Sequence, residues 1–297
     1  MSRRDLIIFI SLSFMWSLSF IFYRVGVPEF GSIAFASLRV LFAGATMLVF
    51  VLLSPNNRLG IRQNWKLLAI VGLFSTAIPF VLFSFSAQSV NAGVLAVLNA
   101  SVPMMSGFIA STFFKDKLAK KQIVGLIIGV IGVVILMSEN LFGTQASESA
   151  GLWPLGYALL GCVGYAVGAN LTKNYLQNLS PIPITAGSII IASLVMLPIG
   201  IYEFPYGKTI SIKAWLSVIC IGVFSTAIAL IFMNRLIKNI GPMRATSITL
   251  VIPIFAILFG YILLDEALDI FAIVGSIVIL IGTYLSLNLS LKGLVKS

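Results

Sequence analysis

A chain of 297 residues that is 59% hydrophobic and only 9% charged cannot be a soluble domain, where about a quarter of the residues carry charge. Its net charge of +10 comes without a basic patch interleaved with aromatics, which excludes a nucleic-acid surface; the Lys and Arg residues lie between apolar blocks, where topology signals lie. The two cysteines, Cys162 and Cys220, fall inside apolar blocks, so neither a disulfide framework nor a thiolate metal site is expected.

The apolar blocks run to roughly 20 residues, enough to cross a ~30 Å hydrocarbon core as a helix. Runs such as Ile123 to Met137 are apolar on every side, unlike the alternating strands of a β-barrel. Ten spans are predicted, at about 6–24, 32–53, 67–87, 93–114, 122–138, 152–172, 183–202, 214–235, 244–264 and 270–289.

Span one follows Ser2-Arg3-Arg4-Asp5 without a small-residue cleavage site and is expected to be a retained helix carrying Trp16 and Phe20 at depth. Span two holds Arg39, the one ionisable side chain within a span. Such a charge either faces a substrate carboxylate or phosphate, or snorkels outward to Glu29 or to loop carbonyls. Span three contributes Phe80, Phe83 and Ser84, with a kink expected at Pro79. In span four, Pro103 frees the carbonyl of Asn99; the result is either a polar, gating cavity wall or a static kink satisfied by a neighbour.

Span five carries Gly125, Gly129 and Gly132, suited to close packing within the monomer or to dimerisation. The segment 139–151 is the natural seam, rich in Gly, Ser, Thr and Glu. Span six offers Tyr165 and Asn170 beside the pair Gly164 and Gly168. Span eight offers Asn234, with Ala229 where span three has Pro79, so no kink is expected there. Span nine repeats the polar–proline pattern as Thr249 and Pro253, and span ten brings Gly275 and Gly282. Each of these polar groups could instead be interhelical glue.

Shifted by 150 residues, the second half lies on the first. Trp65 meets Trp215, the run Phe74 to Ile78 meets Phe224 to Ile228, Pro103 meets Pro253, and Gly132 meets Gly282. Trp16 and Tyr165 correspond at an offset of 149, as do Arg24 and Lys173. With the N-terminus inside, the inner segments collect Arg3, Arg4, Arg58, Arg62, Lys66, Lys115, Lys117, Lys120, Lys121, Lys173, Arg235, Lys238, Arg244, Lys292 and Lys296. The outer segments hold only Arg24, Lys208 and Lys213, which predicts both termini in the cytoplasm. Five spans per half then make the copies enter the membrane from opposite sides. The expected fold is therefore an all-α integral membrane protein of ten transmembrane helices in two inverted-topology repeats. The first covers 1–138 and the second 152–297, with 139–151 an outer linker.

Histidine is absent and no Asp or Glu lies within a span, which removes zinc-protease and Ser-His hydrolase chemistry. A proton relay at depth lacks its titratable group, so facilitated diffusion fits more easily than proton coupling. No enzyme activity, cofactor or metal is expected. The expected partners are a small-molecule substrate and the bilayer, with a monomer or a homodimer both open.

Pro103 through Phe114-Lys115-Asp116-Lys117-Leu118, and Pro253 through Leu264-Asp265-Glu266-Ala267-Leu268 followed by Gly275 and Gly282, resemble paired signatures of the drug/metabolite transporter superfamily, in particular its EamA family. Trp16-Ser17 and Ser37-Leu38-Arg39 with Ala43 are similar to further signatures. The resemblance implies alternating access around a central cavity, and export of small metabolites, including amino acids, or of amphipathic compounds. By position it implies that Trp16, Phe80, Ser84, Asn99, Tyr165, Asn234 and Thr249 face that cavity. Arg39 and Asn170 join them as candidate substrate contacts, with Pro79, Pro103 and Pro253 as candidate hinges. The expected location is the inner (plasma) membrane. An exchanger of phosphorylated metabolites or nucleotide sugars would want several cavity Lys or Arg residues, and only Arg39 is on offer; a sensor or an intramembrane enzyme is the rival of a different class.

Overall fold

Hydrocarbon offers the backbone no hydrogen-bond partner, so each apolar block must close its own ladder, and each does so as a helix. The computed structural model describes residues 2–142, 152–240 and 245–287, and no strand occurs among them. The linker 139–151 lies largely outside the described residues, as do Arg244, Lys292 and Lys296. Ten apolar helical segments follow in order: α1 (Arg3–Phe30), α2 (Ser32–Leu52), α3 (Pro55–Ser86), α4 (Ala92–Phe113), α5 (Lys120–Phe142), α6 (Trp153–Tyr175), α7 (Pro181–Tyr202), α8 (Ile212–Ile240), α9 (Ser247–Leu264) and α10 (Ile270–Ser286). Nine are long and apolar enough to cross a membrane; α10, at 17 residues, is shorter.

Helix starts are set by local chemistry. Ser2 and Asp5 form a reciprocal capping box on α1, and Ser211 and Asp269 accept from the amides of Ala214 and Ala272 to open α8 and α10. Helix α3 begins at Pro55 rather than at 67, because a proline at the first turn loses no helical bond and the polar run behind it extends the helix beyond the apolar stretch.

Packing pairs the two halves element by element. Helix α1 lies on α8 and α9, while α6 lies on α3 and α4; α3 also meets α7, as α8 meets α2. The remaining main contacts join α2 to α7, α4 to α9 and α5 to α10. Each of these pairings has its counterpart when the halves are exchanged.

The α5–α10 seam is made by glycine. A methyl on Gly282 would stand 2.5 Å from the amide nitrogen of Gly129, and one on Gly125 would stand 2.6 Å from the carbonyl of Gly282. Gly164 and Gly168 press in the same way on Phe74 and Ser75. Both Gly-x-x-x-Gly pairs are thus used inside the chain, as close backbone approach requires. The other face of α5, with Ile123, Ile127, Val130 and Val134 exposed, is left for lipid.

Prolines break α4 and α9 as their positions predict. Helix α4 stops at Asn99 and resumes at Val102, and α9 opens with a tight 3-10 turn, Ser247–Leu250, before Pro253. The turn carbonyls in α4 find donors: Thr283 Oγ1 donates to Ala100 O at 2.9 Å, and Ser101 Oγ and Cys162 Sγ donate to Leu98 O. At this site neighbouring helices satisfy the kink.

The contrast expected from Pro79 does not extend to the helical pitch of α3 and α8. Helix α3 widens into a π turn at Leu73–Ala77, and α8 does the same at Val223–Ile228 although Ala229 stands where Pro79 does. Proline is therefore not what opens the turn. The shared Phe-Ser-Thr-Ala-Ile run is common to both, and its hydroxyls reach back to backbone oxygens: Ser75 Oγ to Val71 O, and Thr226 Oγ1 five residues back to Ile221 O. Such donation replaces the amide that a uniform helix would supply.

Candidate functional site

Arg39 sits seven residues into α2, roughly 10 Å along the axis at 1.5 Å per residue. It does not snorkel: the residue is 5% exposed. Its Nε donates to Thr226 Oγ1 at 3.0 Å, and an Nη donates to the hydroxyl of Tyr23. The guanidinium lies over Phe80, with Cζ 3.5 Å from the ring centroid, and 5.2 Å from that of Tyr23. Glu29, its expected partner, instead accepts from the amide and hydroxyl of Ser211 at 2.6 Å each.

Four helices build this cluster. The π turn of α8 leaves Thr226 Oγ1 donating to Ile221 O at 2.7 Å, so its lone pairs face Arg39. Tyr23 on α1 passes its proton toward Phe80 O at 3.4 Å while accepting from the arginine. Ser84 Oγ donates to the same carbonyl at 2.8 Å. Aromatic rings extend the wall: Phe80 meets Tyr165 of α6 edge-on at 6.2 Å, and Phe83 lies 5.9 Å from Tyr165 and 6.2 Å from Phe20. An arginine at the centre of a span costs about 2.5–3.5 kcal/mol on insertion scales. Two hydroxyls and a ring face offset part of that, since a desolvated cation–π contact contributes up to about 2 kcal/mol. No carboxylate is within ion-pair range of Arg39 among the described residues.

Of the residues expected here, Arg39, Phe80, Ser84 and Tyr165 come together. Asn170 does not: its amide donates to Ser106 O and Oγ and to Ala166 O, tying α6 to α4. Asn234 reaches Thr185 Oγ1 on α7 at 3.5 Å, and Thr249 bonds back to Thr246 O within its own turn. Trp16 is half-buried against the main apolar core, and Asn99 is half-buried at the α4 break. Pro79 and Pro253 are buried and Pro103 is half-buried. Tyr23 and Thr226 were not foreseen. The repeated Phe-Ser-Thr-Ala-Ile run was the available signal for Thr226.

Each end of the molecule carries an ion pair between halves. At the end where α1 finishes, Arg24 Nε donates to Glu266 Oε1 at 2.6 Å. Arg24 also donates to Ala87 O at 2.7 Å, and Glu266 accepts from the amide of Ala92 at 2.7 Å. At the end bearing the N-terminus, Lys173 of α6 meets Asp116 at 2.5 Å. These four residues are repeat partners, Arg24 with Lys173 and Asp116 with Glu266. The turns that present the acids are alike too. Lys115 and Asp265 both take positive φ, at 59° and 53°, and the amides of Asp116 and Glu266 each donate to the carbonyl six residues back, Ala110 O and Gly260 O, at 3.1 Å.

Comparison with known proteins bears on what such an arrangement serves. A family model described as the EamA-like transporter family matches twice, over residues 4–138 and 152–288. An uncharacterized transporter of Archaeoglobus fulgidus is 25% identical over 91% of this chain and 94% of its own. The uncharacterized inner membrane transporter YedA of Escherichia coli K12 is 29% identical over 87% of this chain and 82% of its own. A protein of Salmonella typhimurium named a probable amino-acid metabolite efflux pump is 23% identical over 96% and 95%. A crystal structure 14% identical to the chain shares its fold, with a TM-score of 0.65 over 96% of this chain and 98% of that one. With apolar helices long enough to span the bilayer many times over and the family matched across both halves, the chain is a multi-pass membrane protein and belongs to the EamA-like transporter family.

Proposed function

We propose that the chain exports or facilitates the passage of small metabolites, such as amino acids or amphipathic compounds, across the inner membrane without ATP. The halves act as inverted repeats that rock about the central Arg39 cluster and open one end at a time, with both termini in the cytoplasm. The observation that carries this reading is the pair of repeat-equivalent ion pairs, each joining the first helix of one half to the turn after the fourth helix of the other. An inverted repeat relates two gates by a pseudo-two-fold axis in the membrane plane, and equivalent latches at opposite ends are what that geometry requires. The relatives' names supply the solute class, one being called an amino-acid metabolite efflux pump and another an inner membrane transporter.

The test is uptake into sealed liposomes containing the purified chain, across a panel of amino acids, amines, organic acids and phosphorylated metabolites. Movement of at least one unphosphorylated solute, without nucleotide, is expected. A panel in which nothing crosses, or in which only phosphorylated solutes exchange, overturns the reading. Disulfide cross-links placed at both mouths add a second arm: closing both at once should abolish flux, and a scaffold or sensor would tolerate it.

A further inference from the structure

The guanidinium of Arg39 carries five N–H donors, and the protein uses two, toward Thr226 and Tyr23. The other three meet no acceptor among the described residues. They are not sealed away either. The sealed, unpartnered side-chain polar atoms among the described residues are the hydroxyls of Ser19, Ser37, Ser86 and Ser276, and the second Nη of Arg39 is not one of them. Arg39 is 5% exposed, its second Nη is not fully enclosed, and no carboxylate pairs with its charge among the described residues. The free N–H groups are one on the Nη that meets Tyr23 and two on the other Nη, and neighbouring Nη atoms can together receive both oxygens of a carboxylate.

We propose that Arg39 binds the carboxylate of an amphipathic monocarboxylate, with the solute's apolar body against Phe80, Phe83 and Tyr165. The proposal rests on the transport reading above for its setting and names the substrate class of that site. One fixed positive charge balances one negative charge. No second Lys or Arg lies in the cluster to take a phosphate dianion, and the acidic side chains of the described residues stand at helix ends, away from the site. The aromatic rings suit an apolar group beside the anion. Tyr23 and Thr226 act as positioning residues, since both hydroxyls hold the fork in place while their own protons go to backbone carbonyls.

The experiment compares matched pairs on the purified full chain: phenylacetate with phenylacetamide, and leucine with leucinamide, with phenylphosphonate as the dianion. Binding is read by thermal shift and calorimetry, and flux by liposome uptake. In wild type the carboxylate member is expected to bind at least about tenfold tighter than its amide in one pair or both. Arg39→Met should bring acid and amide within about twofold of each other, and Arg39→Lys should keep only part of the preference because it lacks the fork. Should Arg39→Met fail to fold, the wild-type pairs still decide, and Thr226→Val should weaken carboxylate binding while preserving the preference for acid over amide. Equal binding of acid and amide, tighter binding of phenylphosphonate, a preference that survives Arg39→Met, or no binding of either acid overturns the proposal. The two readings fail separately. Uptake of amides as fast as acids sinks this one and leaves transport standing, whereas selective binding without any flux sinks transport and leaves this one.

Discussion

The two ends of the molecule use the same turn, the same register and the same pair of charges, yet they are not equally held. Arg24 and Glu266 have side chains 25% and 7% exposed and each is also bonded to backbone, Arg24 to Ala87 O and Glu266 to the amide of Ala92. Lys173 and Asp116 are 63% and 40% exposed. A charged hydrogen bond shielded from water contributes about 1.5–3 kcal/mol, while an exposed ion pair contributes ~0–1 kcal/mol. The architecture is duplicated, but the energy is not. The end where α1 finishes is held tightly and the end bearing the N-terminus lightly; on the rocking mechanism proposed above, that difference would favour opening at the N-terminal end.

The largest way to break this comparison is Glu266→Gln. Removing the charge from the shielded pair should shift the balance toward opening at that end by about 2 kcal/mol, roughly thirtyfold in population. Spin labels at Ser89 and Tyr206, exposed on that side, read the opening as a longer distance. An unchanged distance distribution would show that the latch carries no bias.

The turns themselves sharpen the likeness. Lys115→Gly and Asp265→Gly each relieve a left-handed residue and should stabilise by about 1 kcal/mol, by similar amounts, in thermal unfolding. A gain at one turn only would mean that the two are not equivalent. Asp116→Asn should shift the N-terminal end by less than ~1 kcal/mol, read from labels at Lys117 and Asn178. That effect should vanish in 0.5 M salt, where screening acts within about 4–5 Å, whereas the Glu266→Gln effect should persist. Smallest of all, Lys173→Arg supplies a planar fork and should narrow the contrast by roughly 0.5 kcal/mol. If the N-terminal labels move apart instead, the fork is not engaging Asp116.

The features that the sequence showed clearly were those carried by contiguous or regularly spaced residues. The ten segments, the 150-residue echo and the proline breaks of α4 and α9 are of this kind, because burial in lipid and a missing amide act locally. Arg24 and Lys173 could be matched by offset, as could Asp116 and Glu266, but that each base pairs with an acid of the other half could not be read, since Arg24 meets Glu266 across 242 positions. Arg39 stood out as a lone charge in a span, and its fate did not. Whether it snorkels depends on Tyr23 and Thr226, the latter 187 positions away. Asn170 was a candidate solute contact as a polar side chain at depth, with interhelical glue as the alternative, and Ser106 on the adjoining helix takes its donors. The likeness of α3 and α8 was hidden because Pro79 looked like a sufficient cause of distortion, and the serine and threonine hydroxyls that the two copies share proved the better guide.

Those wide turns have a consequence for how a single helix can serve two environments. A π turn holds one residue more than the helix around it needs, so side chains beyond it are turned by about 100° from where a uniform 3.6-residue repeat would put them. In α8 this offset separates the stretch Ile212–Gly222, which meets α1 and α2, from the stretch Ala229–Ile240, which meets α1 and α7. The helix changes its facing without a gap, as a screw with one slipped thread does. A one-residue deletion among Val223, Phe224 and Ser225 would restore the even pitch and put Thr226 out of phase with the helix before it, while leaving composition and hydropathy almost untouched. The extra residue in each copy is thus a phase shift, invisible to any count of apolar residues, on which the meeting of Thr226 with Arg39 depends.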